Sequence, residues 1–308
     1  RSTGGTGAVN LGEINLSTAD TSEIAEIRVT GTLGQEDSTV ATAISGYCII
    51  GGQVYNDVLI ETFSSPTFSC TGLNGDFTVS GAGPHSGTLS VNNSSTYTGD
   101  ISFGGPLTGR VLFYGDLSGT ASVSVSGNAA EIDLRGDMAG YVSVTGDLTG
   151  NCEFGTNASA GITGSIDVDG DVTGQLDFAK GLGSGGTLTF GSSTSDVVSS
   201  TIKFGDSSNV SDMDGSVTIA GTLSGSIAVT GNMGGSVSIN TMSDNGTDAS
   251  GGHIEVNRSL VSGAAIVVTN AFTGTREYIC IDFDGYQSGE TWSGGSININ
   301  STTITPGN

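Results

Sequence analysis

The hydrophobic pattern along the chain is a short alternation that repeats about every ten residues. In residues 136–145, Met138, Val142 and Val144 are apolar, and the residues between them are small or polar. Alternation over four or five residues, bounded by Gly-Asp or Gly-Asn, is typical of a short strand followed by a tight turn. Glycine supplies the positive φ of such a corner, and Asp or Asn hydrogen-bonds the next amide. The pattern predicts an all-β protein.

The repetition of this unit indicates how the strands pack. The frame Gly-x-x-x-Gly begins at positions 115, 136, 146, 170, 221 and 231. One unit is too small to bury a core, so consecutive units must stack on one another. Two units would make one coil of about twenty residues, with coils about 4.8 Å apart along parallel ladders. We therefore expect a parallel β-helix, or β-solenoid. The alternative is an antiparallel β-sandwich, whose strands also recur at this spacing.

The regularity of the repeats divides the chain into three predicted parts. Residues 99–274 carry β-solenoid repeats, with loop insertions near 182–214 and 240–252. Residues 1–98 are less regular, which predicts an irregular β cap or a small N-terminal β unit. Residues 275–308 predict C-terminal strands, and uncovered terminal strands could join copies of the chain. The chain begins with neither Met nor an apolar signal segment, which predicts a processed chain or an excised fragment.

Composition and charge narrow the possible partners. The chain has 31 Asp plus Glu against 8 Lys plus Arg among 308 residues, a formal charge of −23. With so few cations it has no basic patch for phosphates, so we expect no nucleic-acid binding. The sequence contains no apolar run of about twenty residues, so it predicts no membrane span. Low Lys, abundant Ser, Thr and Asn, and the acidic balance predict an extracellular or cell-surface protein.

Three acidic residues form the candidate metal site of the sequence. Because Ile166 and Val168 should face inward, Asp167 and Asp169 are expected on one outer face, with Asp171 at the next corner. Carboxylate oxygens suit Ca²⁺, so the sequence predicts a surface calcium site and requires no other cofactor. The twelfth position of this run is not Glu, which argues against an EF-hand loop.

The corner aspartates offer a second route to a cation. Asp116 and Asp137 are 21 residues apart and could stack on one corner of adjacent coils. Such like charges repel unless cations or water screen them. Thr222 and Asn232 occupy the equivalent corner in later units, which favours a role in the turn alone.

The four cysteines are too few for a disulfide scaffold in a chain of this length. Cys48 and Cys70 flank a less regular segment and could form a disulfide that closes it. Cys152 replaces an inward valine and is expected to be a buried free thiol. Cys280, between two isoleucines, is expected to point outward.

Asn-x-Ser/Thr sequences mark candidate glycosylation sites, which exported proteins tolerate in surface loops. They lie at Asn15, Asn92, Asn93, Asn157, Asn209, Asn245, Asn257 and Asn300.

Catalytic chemistry has little support in the sequence, which contains no nucleophile, zinc or phosphate-loop motif. A polysaccharide lyase or glycosidase on a β-helix is the enzyme class to retain, by architectural analogy. Asp167, Asp169 and Asp177 could supply its acids, with Lys180 as the nearby cation. Ice binding would require a flat, regular threonine array, and Thr187-Leu188-Thr189 is isolated in the sequence.

The tandem Gly-Asp-Leu-Thr-Gly and Gly-Thr-Leu-Ser-Gly units, with Val-x-Val or Ile-x-Val between them, resemble repeats of exported prokaryotic cell-surface β-solenoid proteins. The resemblance covers residues 99–274 and implies adhesion, surface-layer or fibre roles, with no catalytic residues. We therefore expect a self-assembling structural subunit of a filament or surface layer, with contacts through terminal strands or open solenoid ends. A monomeric adhesin that binds glycans is the alternative.

Overall fold

The fold is a parallel β-solenoid made of two long sheets, and this confirms the predicted fold class. The computed structural model describes residues 26–29, 39–44, 47–54, 57–92, 95–206, 208–243, 252–271, 281–282, 296–299 and 302–304. The regular elements in these residues are all strands. None of them is a helix long and apolar enough to cross a membrane.

Sheet 1 contains twelve strands, stacked along the solenoid axis. In stacking order they are β1 (Glu26–Val29), β3 (Tyr47–Val54), β5 (Phe68–Leu73), β7 (Thr88–Val91), β9 (Leu107–Phe113), β11 (Ala129–Leu134), β13 (Cys152–Phe154), β15 (Leu176–Phe178), β18 (Thr201–Phe204), β20 (Ser226–Val229), β22 (His253–Val256) and β24 (Ile281–Asp282).

Sheet 2 contains fourteen strands and forms the other long side of each coil. Thirteen of them stack as β2 (Thr39–Ile44), β4 (Val58–Phe63), β6 (Phe77–Val79), β8 (Asp100–Phe103), β10 (Ser122–Val125), β12 (Tyr141–Val144), β14 (Ser165–Val168), β16 (Thr187–Phe190), β19 (Ser216–Leu223), β21 (Ser236–Met242), β23 (Ala265–Ala271), β25 (Ser296–Ile299) and β26 (Thr302–Ile304). The short β17 (Val197–Val198) pairs with the end of β19.

Adjacent coils pair in parallel register, and among the described strands only β25 and β26 are antiparallel. The offset between paired residues is 19 between Ser122 and Tyr141 and grows to 31 between Ala265 and Ser296. Extra residues are therefore accommodated between strands, and the pairing itself continues unbroken. The expected coil of two strand–turn units is confirmed.

The core is a column of alternate residues from both sheets. Val142 and Val144 of β12 are each 1% exposed, while Ser143 between them faces outward. Beneath sheet 1, the rings of Phe154, Phe178 and Phe204 stack at centroid distances of 5.0 and 5.1 Å. Stacked aromatic pairs add about 0.5–1.5 kcal/mol to the free energy of burial, so this column ties three successive coils together.

The repeat glycines serve a purpose different from the one expected. A Cβ atom on Gly174 would lie 1.9 Å from the Gly150 carbonyl oxygen, and one on Gly235 would lie 1.8 Å from that of Gly215. The glycine φ angles that are positive belong to other positions, such as Gly155. Close approach of adjacent coils therefore requires glycine at the repeat positions, and the prediction from positive φ is wrong for them.

The boundary drawn at residue 98 does not appear in the sheets. Strands β1 to β7 belong to the same two sheets as the regular repeats, so the described part of this segment is not a separate unit. Residues 182–214 also contribute β16, β17 and β18 to the coils. Their extra length lies between these strands.

Candidate functional site

The corner aspartates form hydrogen-bonded ladders along the axis. The Asp137 amide donates to Asp116 Oδ1 at 2.9 Å, which confirms that these two residues stack on one corner. On another corner, the Asp171 amide donates to Asp147 Oδ1 at 3.0 Å. An amide at a turn lacks a strand partner, and a carboxylate satisfies it strongly. Each acidic corner therefore binds the backbone of the next coil.

Amide side chains can replace the carboxylates in these ladders. Asn128 Oδ1 accepts the Asp147 amide at 3.0 Å, and Asn151 Oδ1 accepts the Gln175 amide at 2.9 Å. The ladder therefore needs an oxygen acceptor at each corner and does not need a full column of charge.

The structure does not bring the predicted calcium ligands together. Asp167 lies on the outer side of β14, where the Tyr141 hydroxyl donates to its Oδ2 at 3.3 Å. Asp169 is exposed beyond the strand end, and Asp171 Oδ1 accepts the Val197 amide at 2.7 Å. Across the described residues, no group of three acidic, histidine or cysteine side chains is placed to hold a metal ion.

The outer side of sheet 1 carries an ion-pair network centred on Asp133, whose side chain is 1% exposed. Arg110 contacts Asp133 and also lies 3.1 Å from Glu131. Arg135 lies 3.9 Å from Asp133 and 3.0 Å from Glu153. We call these five residues the charged network.

Two further contacts fix this network. The guanidinium of Arg135 lies 5.1 Å from the ring centroid of Tyr114, a cation–π arrangement. Asp133 Oδ1 accepts the Glu153 amide at 2.8 Å, so the buried carboxylate also joins adjacent coils. Burial raises the pKa of Glu131, and the neighbouring Arg110 opposes that rise. The charged groups of the network therefore pair with one another within the stacked coils.

The outer side of sheet 2 is different over six consecutive strands, because it is almost uncharged there, while Glu61 and Asp100 lie outward on strands nearer the N-terminal end. We define the hydroxyl face as the two outward residues at the start of each of six consecutive strands. They are Ser122, Ser124, Tyr141, Ser143, Ser165, Asp167, Thr187, Thr189, Ser216, Thr218, Ser236 and Ser238. Ten of these twelve are Ser or Thr, and only Asp167 is charged. The register aligns them in two columns, with about 4.8 Å between coils and about 6.6 Å across a strand.

Most of these hydroxyl groups have no partner in the described part of the chain. Ser122 donates to Asp100, and Tyr141 donates to Asp167. The remaining Ser and Thr hydroxyls of the face form no hydrogen bond with any described residue. Thr187 and Thr189, expected to be isolated, therefore belong to a regular array. Sequence reasoning missed this array because its members are about twenty or more residues apart.

Exposed apolar side chains also concentrate on this side of the molecule. Five large hydrophobic residues are exposed among those described, and three of them lie on the outer side of sheet 2. Tyr141 lies within the hydroxyl face, while Leu59 and Val267 extend one of its columns beyond both ends. A surface that combines exposed apolar groups with little charge has the composition of a contact surface.

The predicted Cys48–Cys70 disulfide is absent, and both thiols are free and buried. Cys70 pairs with Ile50 and Cys48 with Phe68, so the two cysteines are diagonal neighbours. That offset separates their Cα atoms by about 8 Å, beyond the about 7 Å that a disulfide spans. Cys152 is a buried free thiol as expected, and burial raises its pKa to about 12. Cys280 lies outside the described residues.

Four of the candidate glycosylation sites lie within the described residues. Asn92 and Asn157 are exposed. Asn209 and Asn257 are half-buried, and Asn209 accepts a hydrogen bond from Lys180 at 3.3 Å. The first pair therefore has the accessibility that a glycan needs. Four sites lie outside the described residues: Asn15, Asn93, Asn245 and Asn300.

The residues suggested for a carbohydrate-active enzyme are divided between surfaces. Asp167 faces outward from sheet 2, whereas Asp177 faces outward from β15 in sheet 1. Burial raises the pKa of Asp177, and Lys203 beside it acts in the opposite direction. Lys180 follows β15 at the corner. Asp167 and Asp177 therefore do not form one catalytic pair.

Comparison with known proteins yields no match: no family model, no curated protein and no solved structure is similar to this chain. The resemblance to cell-surface solenoid repeats stays a prediction from the sequence.

Proposed function

We propose that this chain is an extracellular structural protein whose copies associate side by side through the hydroxyl face. The observation that carries the proposal is the near absence of charge on this face in a chain with a net charge of −23. Two such chains repel each other least when their uncharged sides meet. Ser and Thr hydroxyls both donate and accept hydrogen bonds, so the same surface can pair with itself.

The size of the face sets the strength of the contact. The six strands of the face span about 29 Å, and a face about 10 Å wide gives about 300 Å² per copy. Two copies would bury about 600 Å², less than the about 1,200 Å² of a stable specific interface. Pairing through this face alone is therefore expected to be weak and to need repetition along a filament or layer.

Ionic conditions should modulate this association in a defined direction. The acidic side chains outside the face repel across the assembly, and salt or divalent cations screen that repulsion. Lowering the pH towards the sequence pI of about 4.1 also reduces the net charge. Both changes should strengthen association, and a chelator should weaken any part that depends on divalent cations.

The proposal is tested with a pair of charge-matched variants. Ser143→Glu with Thr218→Glu places two carboxylates on the hydroxyl face. Ser90→Glu with Ala228→Glu places two on the outer side of sheet 1, so that both variants carry the same net charge. Sedimentation velocity over a concentration series measures the self-association constant, and electron microscopy with and without a chelator shows whether filaments or sheets form.

We expect the wild-type chain to associate with increasing concentration, and the hydroxyl-face variant to associate at least tenfold more weakly than the control variant. Equal weakening of both variants would mean that net charge, and not this face, controls association. A wild-type chain that remains monomeric at millimolar concentration in high salt would overturn the proposal.

The regular array favours ice binding as a second candidate function. Hydroxyl and methyl groups repeat in two directions on a flat sheet, and such a surface can order water or match a crystalline plane. The Thr187, Thr189 and Thr218 positions carry the methyl groups. Inhibition of ice recrystallisation by the wild-type chain, lost in the Thr218→Glu variant, would support this function. Normal crystal growth at high protein concentration would rule it out.

A further inference from the structure

A groove of about 440 Å³ lies at the corner where the chain passes from sheet 1 to sheet 2, and its lining residues are distinct from those of the hydroxyl face. Its walls come from segments that follow β13, β15, β18, β20 and β22, so it crosses five coils. At about 4.8 Å per coil, it is roughly 19 Å long. Its volume falls within the range of about 300–1,000 Å³ that small-ligand sites occupy.

The groove holds the two cationic side chains that have no carboxylate beside them in the described part of the chain. Arg110 and Arg135 belong to the charged network, and Lys203 lies beside Asp177. Lys180 and Arg258 line the groove, and neither forms an ion pair with a described carboxylate. Lys180 has one hydrogen bond, to the Asn209 amide oxygen, and its ammonium group has donors left for a ligand.

Acceptors lie among these donors. Asp212 and Asp214 flank the inward Met213, so both carboxylates face outward into the groove. One oxygen of Asp212 accepts the Asn232 amide, and its other oxygen is free. Asp214 accepts no hydrogen bond from a described residue. The groove therefore offers two cationic donors and two anionic acceptors, which balance in charge.

An apolar side chain completes the lining. Val210 is 47% exposed at the groove, although most valines of the described chain are buried. An exposed apolar group beside charged donors and acceptors suits a ligand that has both a hydroxyl-bearing edge and a C–H surface.

We propose that this groove binds a short neutral saccharide. The balanced charge disfavours a phosphate or sulfate, because Asp212 and Asp214 would repel it. It equally disfavours a metal or organic cation, because Lys180 and Arg258 would repel that ligand. Sugar hydroxyls donate to carboxylates and accept from Lys and Arg, and a sugar ring can lie against Val210. The proposal is independent of self-association through the hydroxyl face.

The test uses the full chain and a panel of neutral trisaccharides built from glucosyl, mannosyl, galactosyl and N-acetylglucosaminyl units in α and β linkages. Trigalacturonate and inorganic sulfate serve as anionic probes. Saturation-transfer NMR identifies binders, and calorimetric titration to about 10 mM measures dissociation constants near the millimolar range. The variants are Arg258→Ala and Asp214→Asn, both at exposed positions, with Lys203→Ala as the control on sheet 1.

We expect at least one neutral trisaccharide to bind, and each groove variant to weaken that binding at least tenfold while the control retains it. Circular dichroism should show the same fold in all variants. Binding of the anionic probes alone, binding that survives both groove variants, or no binding by any trisaccharide at about 10 mM would each overturn the proposal. Sedimentation of the same variants should match the wild type, because the hydroxyl face is untouched.

Discussion

The outer sides of the two sheets face the same solvent but are built differently. On sheet 1, Asp133 is buried between Arg110 and Arg135, and its carboxylate also holds the next coil. On sheet 2, Ser143 and Thr218 project hydroxyls that no described residue engages. The charged groups on sheet 1 bind one another within the molecule, whereas the hydroxyl groups on sheet 2 remain available to bind another molecule.

The inner sides of the two sheets also differ in the side chains that they bury. In the coils that carry the hydroxyl face, sheet 1 covers the stacked rings of Phe154, Phe178 and Phe204, whereas sheet 2 covers mainly aliphatic residues such as Val144 and Ile239. Nearer the N-terminal end, sheet 2 has ring contacts of its own, among Phe63, Phe77 and Phe103. We infer that, within the coils of the hydroxyl face, sheet 1 joins successive coils and sheet 2 presents the contact surface.

The largest expected effect comes from the aromatic column. Phe178→Ala should destabilise the protein by about 3–5 kcal/mol, because it leaves a cavity between two stacked rings. Phe190→Ala in sheet 2 removes an equally buried ring that has no aromatic partner among the described residues. The first variant should cost about 1–3 kcal/mol more, the contribution of two ring pairs. Denaturant unfolding with hydrogen exchange measures both, and equal losses would remove the distinction between the sheets.

The next largest loss of stability is expected from a substitution in the charged network. Asp133→Asn keeps an acceptor for the Glu153 amide but leaves two arginines without their shared carboxylate. We expect a loss of about 2 kcal/mol, less than the about 3–5 kcal/mol of a fully buried pair, because the arginines are partly exposed. Glu255→Gln on the same sheet breaks no ion pair with a described residue and should change the unfolding free energy by less than about 0.5 kcal/mol. Similar losses for both would mean that the network does not stabilise the fold.

Local sequence patterns predicted much of this architecture and missed what depends on coil register. The alternation around Val142 identified inward residues, and the spacing of Asp116 and Asp137 placed them on one corner. Cys48 and Cys70 appeared suited to a disulfide because sequence does not show that their strands are offset by two residues. The less regular segment before residue 98 hid its strands, since variable turns obscure the repeat although the ladder continues through them.

The candidate surfaces were harder to predict for the same reason. Thr189 and Thr218 are direct neighbours in the sheet but are 29 residues apart in the chain. Lys180 and Arg258 meet in one groove across 78 residues. The Ser-x-Ser and Thr-x-Thr patterns in alternate strands were a usable signal for the hydroxyl face. No comparable pattern marks the groove, because its side chains come from loops of different lengths.

The corners join the two sheets and should respond to the loss of an acceptor. Asp147→Ala removes the oxygen that accepts the Asp171 amide, and we expect a loss of about 1 kcal/mol. Asp147→Asn keeps an acceptor, as Asn128 does one coil earlier, and should cost less than half as much. Thermal unfolding compares the two, and an equal loss would show that charge, and not hydrogen bonding, matters at the corner.

Two carboxylates should give opposite dependences of stability on pH. Hydrogen bonds from Ser159 lower the pKa of Asp137 below that of an ordinary aspartate. Its contribution to stability is therefore present above the pKa of the unfolded chain and is lost as the pH falls through the lowered pKa. Burial raises the pKa of Asp177, so its ionised form costs stability at neutral pH and protonation relieves that cost. Asp137→Asn should therefore destabilise at pH 7, and Asp177→Asn should leave stability unchanged or increase it slightly. Melting temperatures from about pH 7 to pH 2.5 should show both differences shrink in acid, and parallel profiles would contradict these assignments.

The smallest expected effect tests whether the hydroxyl face is free. Ser143→Ala removes a hydroxyl that engages no described residue, so the unfolding free energy should change by less than about 0.5 kcal/mol. Ser211→Ala is the matched control, because the buried Ser211 hydroxyl donates to the Ala179 carbonyl at 3.0 Å and its loss should cost about 1–2 kcal/mol. At concentrations where the chain associates, however, Ser143→Ala should weaken association measurably while Ser211→Ala leaves it unchanged. A stability loss from Ser143→Ala equal to that of the control would mean that its hydroxyl supports the coil, and sheet 2 would then no longer be the available side of the molecule.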